Sequence, residues 1–199
     1  MMARFTLFLF SIFLAAILLG QPETGFHGFI ITKNNYELTG SISLLQHTEQ
    51  GSMVEYINDF GTPYFLHPSL IKGFVFYEGP QPYVYKSVAW KDKWLFLRVR
   101  YSGEHVRLLQ TPEILTNYFL VNDRLVANTQ KIFEFWVEDS NGRITPLQKN
   151  NFRKRMKQIM ADSAPVLASK IGQKGYRFKD LLQIMDAYDK ELAKGKWHL

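Results

Sequence analysis

The sequence predicts an α+β protein: an antiparallel β-rich N-terminal part, comprising an SH3-like small barrel and further β-hairpins, then a two- to three-helix C-terminal segment. Three observations predict it. Aromatic residues make up 15% of the 199-residue chain, with 16 Phe and 10 Tyr, and flat rings pack well on a pleated surface. From Phe26 onward, short apolar runs with period-two alternation are separated by turn residues. Beyond Asn151 the apolar period lengthens to that of a helix. Hydrophobic residues amount to 46%, enough for one domain, or a domain plus a small appendage, with an apolar core.

Residues 1–20 read as a secretory signal peptide. Arg4 gives the positive flank, Phe5 to Leu19 is an apolar run broken only by Thr6 and Ser11, and Gly20 offers a small residue for cleavage. The run falls short of the roughly 20 residues that span a bilayer core. Cleavage after Gly20 would put Leu18 at the −3 position, where a small residue is usual, so an uncleaved anchor and a buried core helix stay open. The expected organisation is a signal at 1–20, a β-rich domain at 21–148 and a helical segment at 149–199. Within the β-rich domain, 21–79 is barrel-like and 80–148 carries further antiparallel strands.

Phe26 to Thr32 is the first predicted strand, and Lys33-Asn34-Asn35 turns the chain. Tyr36 to Leu45 is the second, bent at Gly40. His47 to Gly51 is a polar loop leading into Ser52 to Asn58. The Asp59-Phe60-Gly61-Thr62 turn precedes Tyr64 to His67, and Pro68-Ser69-Leu70-Ile71 makes a tight helical turn before Gly73 to Tyr77. Five strands, a bent second one and a turn before the fifth suggest a small SH3-like or PRC-type barrel.

The Gly79-Pro80-Gln81-Pro82 break then opens a second sheet region. In Lys93 to Tyr101, Leu95, Leu97, Val99 and Tyr101 alternate with Trp94, Phe96, Arg98 and Arg100. Tyr118 to Val121 and Arg124 to Ala127 fit a hairpin around Asn122-Asp123, and Asn141-Gly142 is another turn closing onto Ile144. Between them, Lys131 to Glu138 alternates as one strand.

Three helices follow. Asn151 to Ala161 carries the stripe Phe152, Met156, Ile159 and Met160. Asp162-Ser163 offers an N-cap and Pro165 a first-turn position for a short helix to Ile171. Gly172 and Gly175 break it, and Lys179 to Lys194 repeats Leu181, Ile184, Met185, Tyr188 and Leu192 at helical spacing.

Composition excludes several chemistries. The chain has no cysteine, so disulfides, thiolate zinc sites, iron–sulfur clusters and cysteine nucleophiles are ruled out. No G-x-S-x-G elbow, Walker loop, G-x-G-x-x-G or H-E-x-x-H occurs. No cofactor and no metal is expected. His27, His47 and His67 are evenly spaced, but His47 is expected at a loop tip and the others near strand ends, so they are read as ordinary histidines. Glu134 and Glu138 share one strand face about 13 Å apart, too far for a glycosidase pair. With Asp139 they are read as solvent-facing.

Charge is uneven. Residues 21–148 carry 11 basic and 13 acidic side chains, and residues 149–199 carry 12 and 5. In an exported protein, anionic lipid, glycan or an acidic protein face is the expected partner of such a basic tail, rather than nucleic acid. Two candidate binding surfaces follow. Lys149, Arg153, Lys154, Arg155 and Lys157 cluster at the start of the first helix. Trp94, Arg98 and Arg100 belong to a stretch, Trp90 to Tyr101, that interleaves aromatic and basic groups. Its plainer reading is a core strand, with Trp94 and Phe96 covered by the terminal helices.

Several stretches carry a resemblance: GFIITKNNYELTGSI, VEYINDFGTPYFLHPSLIKGF, KWLFLRVRYSG and IGQKGYRFKDLLQIMDAYD. Within them stand Gly40-Ser41-Ile42, the His-Pro-x-x-Ile-Lys-Gly-Phe run from His67 to Phe74, and the Gly-Tyr-x-x-x-Asp-Leu turn from Gly175 to Leu181. On these the chain resembles a family of uncharacterised exported proteins from Bacteroidota-type bacteria. The resemblance implies compartment and architecture, and no residue roles.

The expected function is that of an exported, periplasmic or extracellular, envelope binding protein without catalytic activity, docking to a protein partner or an anionic surface. The alternative is a hydrolase or transferase acting on envelope glycans or lipids through an unrecognised site. A carrier of an apolar ligand would need an interior cavity, which the bulky Phe and Tyr content is expected to fill.

Overall fold

The computed structural model describes residues 25–121, 124–132 and 134–195. The expected signal peptide and the Asn122-Asp123 turn lie outside the described residues. Most of the chain is antiparallel sheet, followed by a short helical segment.

Five strands, β1 (Phe26–Thr32), β2 (Glu37–Thr48), β3 (Gly51–Asn58), β4 (Pro63–Leu66) and β5 (Ile71–Glu78), follow the predicted series closely. The tight turn before β5 is present, with Leu70 N–H donating to the His67 carbonyl (3.0 Å). The expected break at Gly79-Pro80 is instead the turn of a hairpin, because Glu78 pairs with Gln81. Residues 26–78 therefore continue directly into β6 (Gln81–Trp90) and β7 (Lys93–Ser102). Two strands were not foreseen, β6 and β8 (Val106–Gln110). Beyond them lie β9 (Ile114–Val121), β10 (Arg124–Lys131), β11 (Phe135–Asp139) and β12 (Ile144–Leu147).

Ten strands form one open sheet in the order β12-β11-β8-β7-β6-β5-β1-β2-β3-β4, and β9 and β10 make a separate two-stranded sheet. The run expected as one strand, Lys131 to Glu138, divides between two sheets. Its first residue ends β10 and its last four belong to β11. The link is held by Ile132 N–H to the Glu113 carbonyl (2.9 Å) and Thr111 N–H to the Glu134 carbonyl (3.0 Å).

The large sheet coils until β3 approaches β7: a Cβ added at Gly51 would lie 2.9 Å from the Trp94 carbonyl oxygen. Inside this coil a first core gathers Ile30, Ile42, Val54, Tyr56, Phe74, Tyr85 and Phe96. Its rings stack, Phe74 on Tyr85 at 4.8 Å and Phe76 on Tyr83 at 4.9 Å. On the opposite face of β7, Leu95 and Leu97 pack with Val88, Leu109 and Trp136.

Three helices close the third core: α1 (Phe152–Met160), α2 (Pro165–Lys170) and α3 (Leu181–Gly195), the last entered through a 3₁₀ turn at Phe178–Asp180. Their stripes (Phe152, Met156, Met160, Leu181, Ile184, Met185, Tyr188) bury Val106, Leu108, Val137 and Leu147. Each such side chain contributes roughly 1.5–3 kcal/mol of transfer free energy. The expectation that the helices cover Phe96 is not met, because that ring is enclosed within the coil, edge-on to Phe74 at 4.9 Å. The residue before α2 is Ala164, with no side-chain cap, so Asp162-Ser163 does not serve as expected. Its backbone N–H instead bonds to the Met160 carbonyl (2.9 Å).

One irregularity decides where α3 sits. The β7–β8 register slips between Val99 and Tyr101, so Val99 opposes Leu109 while Tyr101 opposes Leu108. Neighbouring Leu108 and Leu109 point to opposite faces. The bulge at Arg100 thus turns Tyr101 away from Val99, against strict alternation, and onto the helical core. Beside it the Asp189 carboxylate of α3 accepts the backbone N–H groups of Glu104 (3.0 Å), His105 (2.7 Å) and Val106 (3.2 Å).

Candidate functional site

The first expected surface lies on α1. Arg153, Lys154 and Arg155 are exposed, Lys157 is half-buried, and Lys149 is exposed on the preceding turn. The first turn holds no acidic side chain. None of the five forms an ion pair among the described residues. Phe152, Met156 and Met160 anchor the opposite side of the helix, so the cations stand on a fixed support. Arg153 is further held against the turn after α2, where a Cβ on Gly172 would sit 3.0 Å from its Nε.

The second expected surface is taken up internally. Trp94 lies under the Lys33 ammonium, 5.2 Å from the ring centroid. Arg98 stacks its guanidinium 3.8 Å over Tyr83. Arg100, exposed at the bulge, donates from Nη1 to Gln110 Oε1 (3.1 Å). These contacts make Trp94 and Arg98 part of the packing of the coiled sheet.

A cleft of about 570 Å³ opens between the β9–β10 sheet and the large sheet. Leu95 and Trp136 contribute apolar surface, Leu115 and Gln130 come from β9 and β10, and Trp90, Lys91 and Lys93 from the β6–β7 turn. His47, Glu49, Glu134 and Gln148 complete the polar lining. Trp90 meets Trp136 edge-on at 5.2 Å. The hairpin is tied to the β2–β3 turn by Asn117 Nδ2 donating to Glu49 Oε1 (3.0 Å). Gln148 Nε2 donates to Glu134 Oε1 (3.0 Å).

His47 is buried, 6% exposed, rather than at a loop tip. It reaches this place because β2 extends to Thr48 and pairs His47 with Ser52. Its Nδ1 lies 2.9 Å from Ser52 Oγ. Burial first, and then the Lys93 charge, lowers its pKa to about 4, so at neutral pH the ring is uncharged. Among the described residues, no group of three or more His, Asp or Glu is arranged to hold a metal ion.

Glu138 corrects another expectation: it is 4% exposed and not solvent-facing. Lys86 pairs with its Oε1, and Arg107 Nη1 lies 3.4 Å from Oε2. Both partners come from the two strands that the sequence did not reveal. A further cleft of about 420 Å³, lined by Leu38, Tyr56, Phe60 and Tyr64 among others, opens at the β1–β4 end. Among the described residues no helix is long and apolar enough to cross a membrane.

Compared with protein-family models, curated proteins and solved structures, the chain matches none.

Proposed function

We propose that this is an exported cell-envelope binding protein without catalytic activity, docking to an anionic envelope surface through α1. The observation that carries this reading is the set of five cations, Lys149 on the turn before α1 and Arg153, Lys154, Arg155 and Lys157 on α1 itself, none ion-paired among the described residues, on a helix packed firmly into the core. Arg153 and Lys154, in the first turn, oppose the macrodipole at a cost of a few tenths of a kcal/mol, whereas Lys157 lies in the last turn, where a cation is favoured. A function at that position accounts for the misfit better than solubility does. Near an anionic membrane each basic group contributes roughly 1 kcal/mol. We further infer an SH3-like arrangement for residues 26–78, which the strand order β5-β1-β2-β3-β4 supports.

Co-sedimentation with phosphatidylglycerol vesicles tests the docking. The wild type is expected to bind and to be released by salt, and R153E/K154E/R155E to bind at least about 100-fold more weakly. Equal binding by the variant, with its circular dichroism unchanged, would remove α1 from the function.

A hydrolase or transferase is the second reading, favoured by the buried His47 in the large cleft. A ring titrating near 4 is a weak base at neutral pH, since efficient general bases are tuned close to the working pH. Turnover of envelope glycan or lipid that is abolished by His47→Gln would reverse this preference.

A further inference from the structure

The cleft beside the β9–β10 sheet has no part in docking through α1, yet its lining defines a ligand. Its volume, about 570 Å³, falls within the roughly 300–1,000 Å³ of small-molecule sites. Trp90 is half-buried and leaves part of its indole open at the rim. An electron-rich ring face suits the C–H face of a sugar. Around it, Gln130, Gln148, Glu134 and the neutral His47 supply donors and acceptors suited to hydroxyl groups.

The charged groups of the lining stand at different places. Glu134 already accepts from Gln148, and Glu49 from Asn117. Lys91 and Lys93 have no ion pair among the described residues. Glu134 and Glu49 keep their charge, because their partners are neutral amides, so the lining is balanced overall and its positive charge is gathered at the β6–β7 turn, on Lys91 and Lys93. Lys91 holds a left-handed backbone, φ +53°, as the first residue of the two-residue β6–β7 hairpin turn.

We propose that this cleft binds a short acidic oligosaccharide, with a sugar face against Trp90 and an anionic substituent held by Lys91 and Lys93. The sugar rings account for the aromatic and hydroxyl-matching groups together, and the carboxylate or sulfate accounts for the two lysines.

Isothermal titration calorimetry on the full chain tests it with short oligogalacturonides, heparin-derived disaccharides and tetrasaccharides, neutral cello-oligosaccharides of matched length, and nucleotides. At least one acidic series is expected to bind, with neutral sugars about tenfold or more weaker, and the two acidic arms separate carboxylate from sulfate recognition. Lys91→Gln with Lys93→Gln should erase the acidic preference, and Trp90→Ala should weaken both classes. Lys91→Gly keeps the turn and relieves its backbone, so it should melt no lower than wild type while losing affinity for the acidic sugar. That variant separates binding from folding. The α1 variant R153E/K154E/R155E should bind the sugar normally, so the two sites fail independently. Failure of every acidic series to bind at millimolar concentration, equal affinity for neutral sugars, binding of nucleotides alone, or affinities untouched by these variants would each overturn the proposal.

Discussion

At the scale of single residues, two groups make the fold sensitive to acid in separate pH windows. Folded His47 titrates near 4, against 6.5 for a free imidazole, because burial and then Lys93 disfavour its charge. Between those values the unfolded chain takes up a proton that the folded protein refuses. Stability is therefore full above about 6.5 and falls as the pH drops towards 4, by up to roughly 3 kcal/mol. Urea melts from pH 7.5 to 4.5 should reveal that slope, and His47→Gln should flatten it. A variant slope equal to wild type would assign the effect elsewhere. Asp189 behaves differently. Burial pushes its carboxyl upward, but the N–H groups of His105, Glu104 and Val106 and the nearby His105 outweigh that and hold it below the usual value. Its contribution is present above the unfolded pKa of 3.8 and is lost as the pH falls through the lower folded value. Asp189→Asn should cost about 1.5–3 kcal/mol at neutral pH, the range for hydrogen bonds to charged groups, measured as a lower urea midpoint with an unchanged m-value.

At the scale of elements, α3 is latched to the β7–β8 turn through that same carboxylate, and the turn has no room to spare. A Cβ at Gly103 would overlap the Asp189 carboxyl group. Gly103→Ala should raise amide exchange selectively in α3 and destabilise the protein by about 1–3 kcal/mol. Uniform exchange across the molecule would deny α3 this role. The same region marks where the sequence stops being legible. Alternation in β7 identifies the strand and both its faces as far as Val99. It misplaces Tyr101, because the bulge at Arg100 depends on the register of β8, a strand of only five residues whose flanking turn residues, Gly103 and Pro112, do not fix that register. Glu138 escaped for a related reason. Its parity with Glu134 is readable, but which strand face is covered depends on neighbours far along the chain, Lys86 and Arg107. The helices were legible because Phe152, Met156 and Met160, and Leu181, Ile184, Met185 and Tyr188, repeat locally at helical spacing. The α1 cations stood out by density in sequence. The cleft did not, since His47, Trp90, Gln130 and Trp136 come together only through the coil of the sheet.

At the scale of the whole molecule, the continuous sheet argues against an autonomous N-terminal barrel even if residues 26–78 have SH3-like connectivity. The outer edge of β5 is taken by β6 over most of its length, from Gly73–Lys86 to Glu78–Gln81. Phe74, at the centre of the first core, is enclosed by Tyr85 of β6 and Phe96 of β7. A fragment of residues 21–79 would expose that ring and leave β5 with an open edge, losing four of the aromatic contacts that fill its core. Small domains have little stability to spare, burying only about 60% of their unfolded surface at some 60 residues. The fragment is thus expected to lack a cooperative thermal transition, whereas residues 21–148 and the longer chain should differ in another way. Removing residues 149–199 uncovers Val106, Leu108, Val137 and Leu147 on one face, an apolar patch of the kind that drives association. Residues 21–148 should therefore keep β-sheet circular dichroism but self-associate in analytical ultracentrifugation. A monomeric 21–148 fragment would mean that the helices do not shield the sheet, and a dispersed amide spectrum from residues 21–79 would make the barrel a domain in its own right. Because the helices that shield the sheet also carry the α1 cations, the proposed docking surface is expected only when the β-core beneath it is folded.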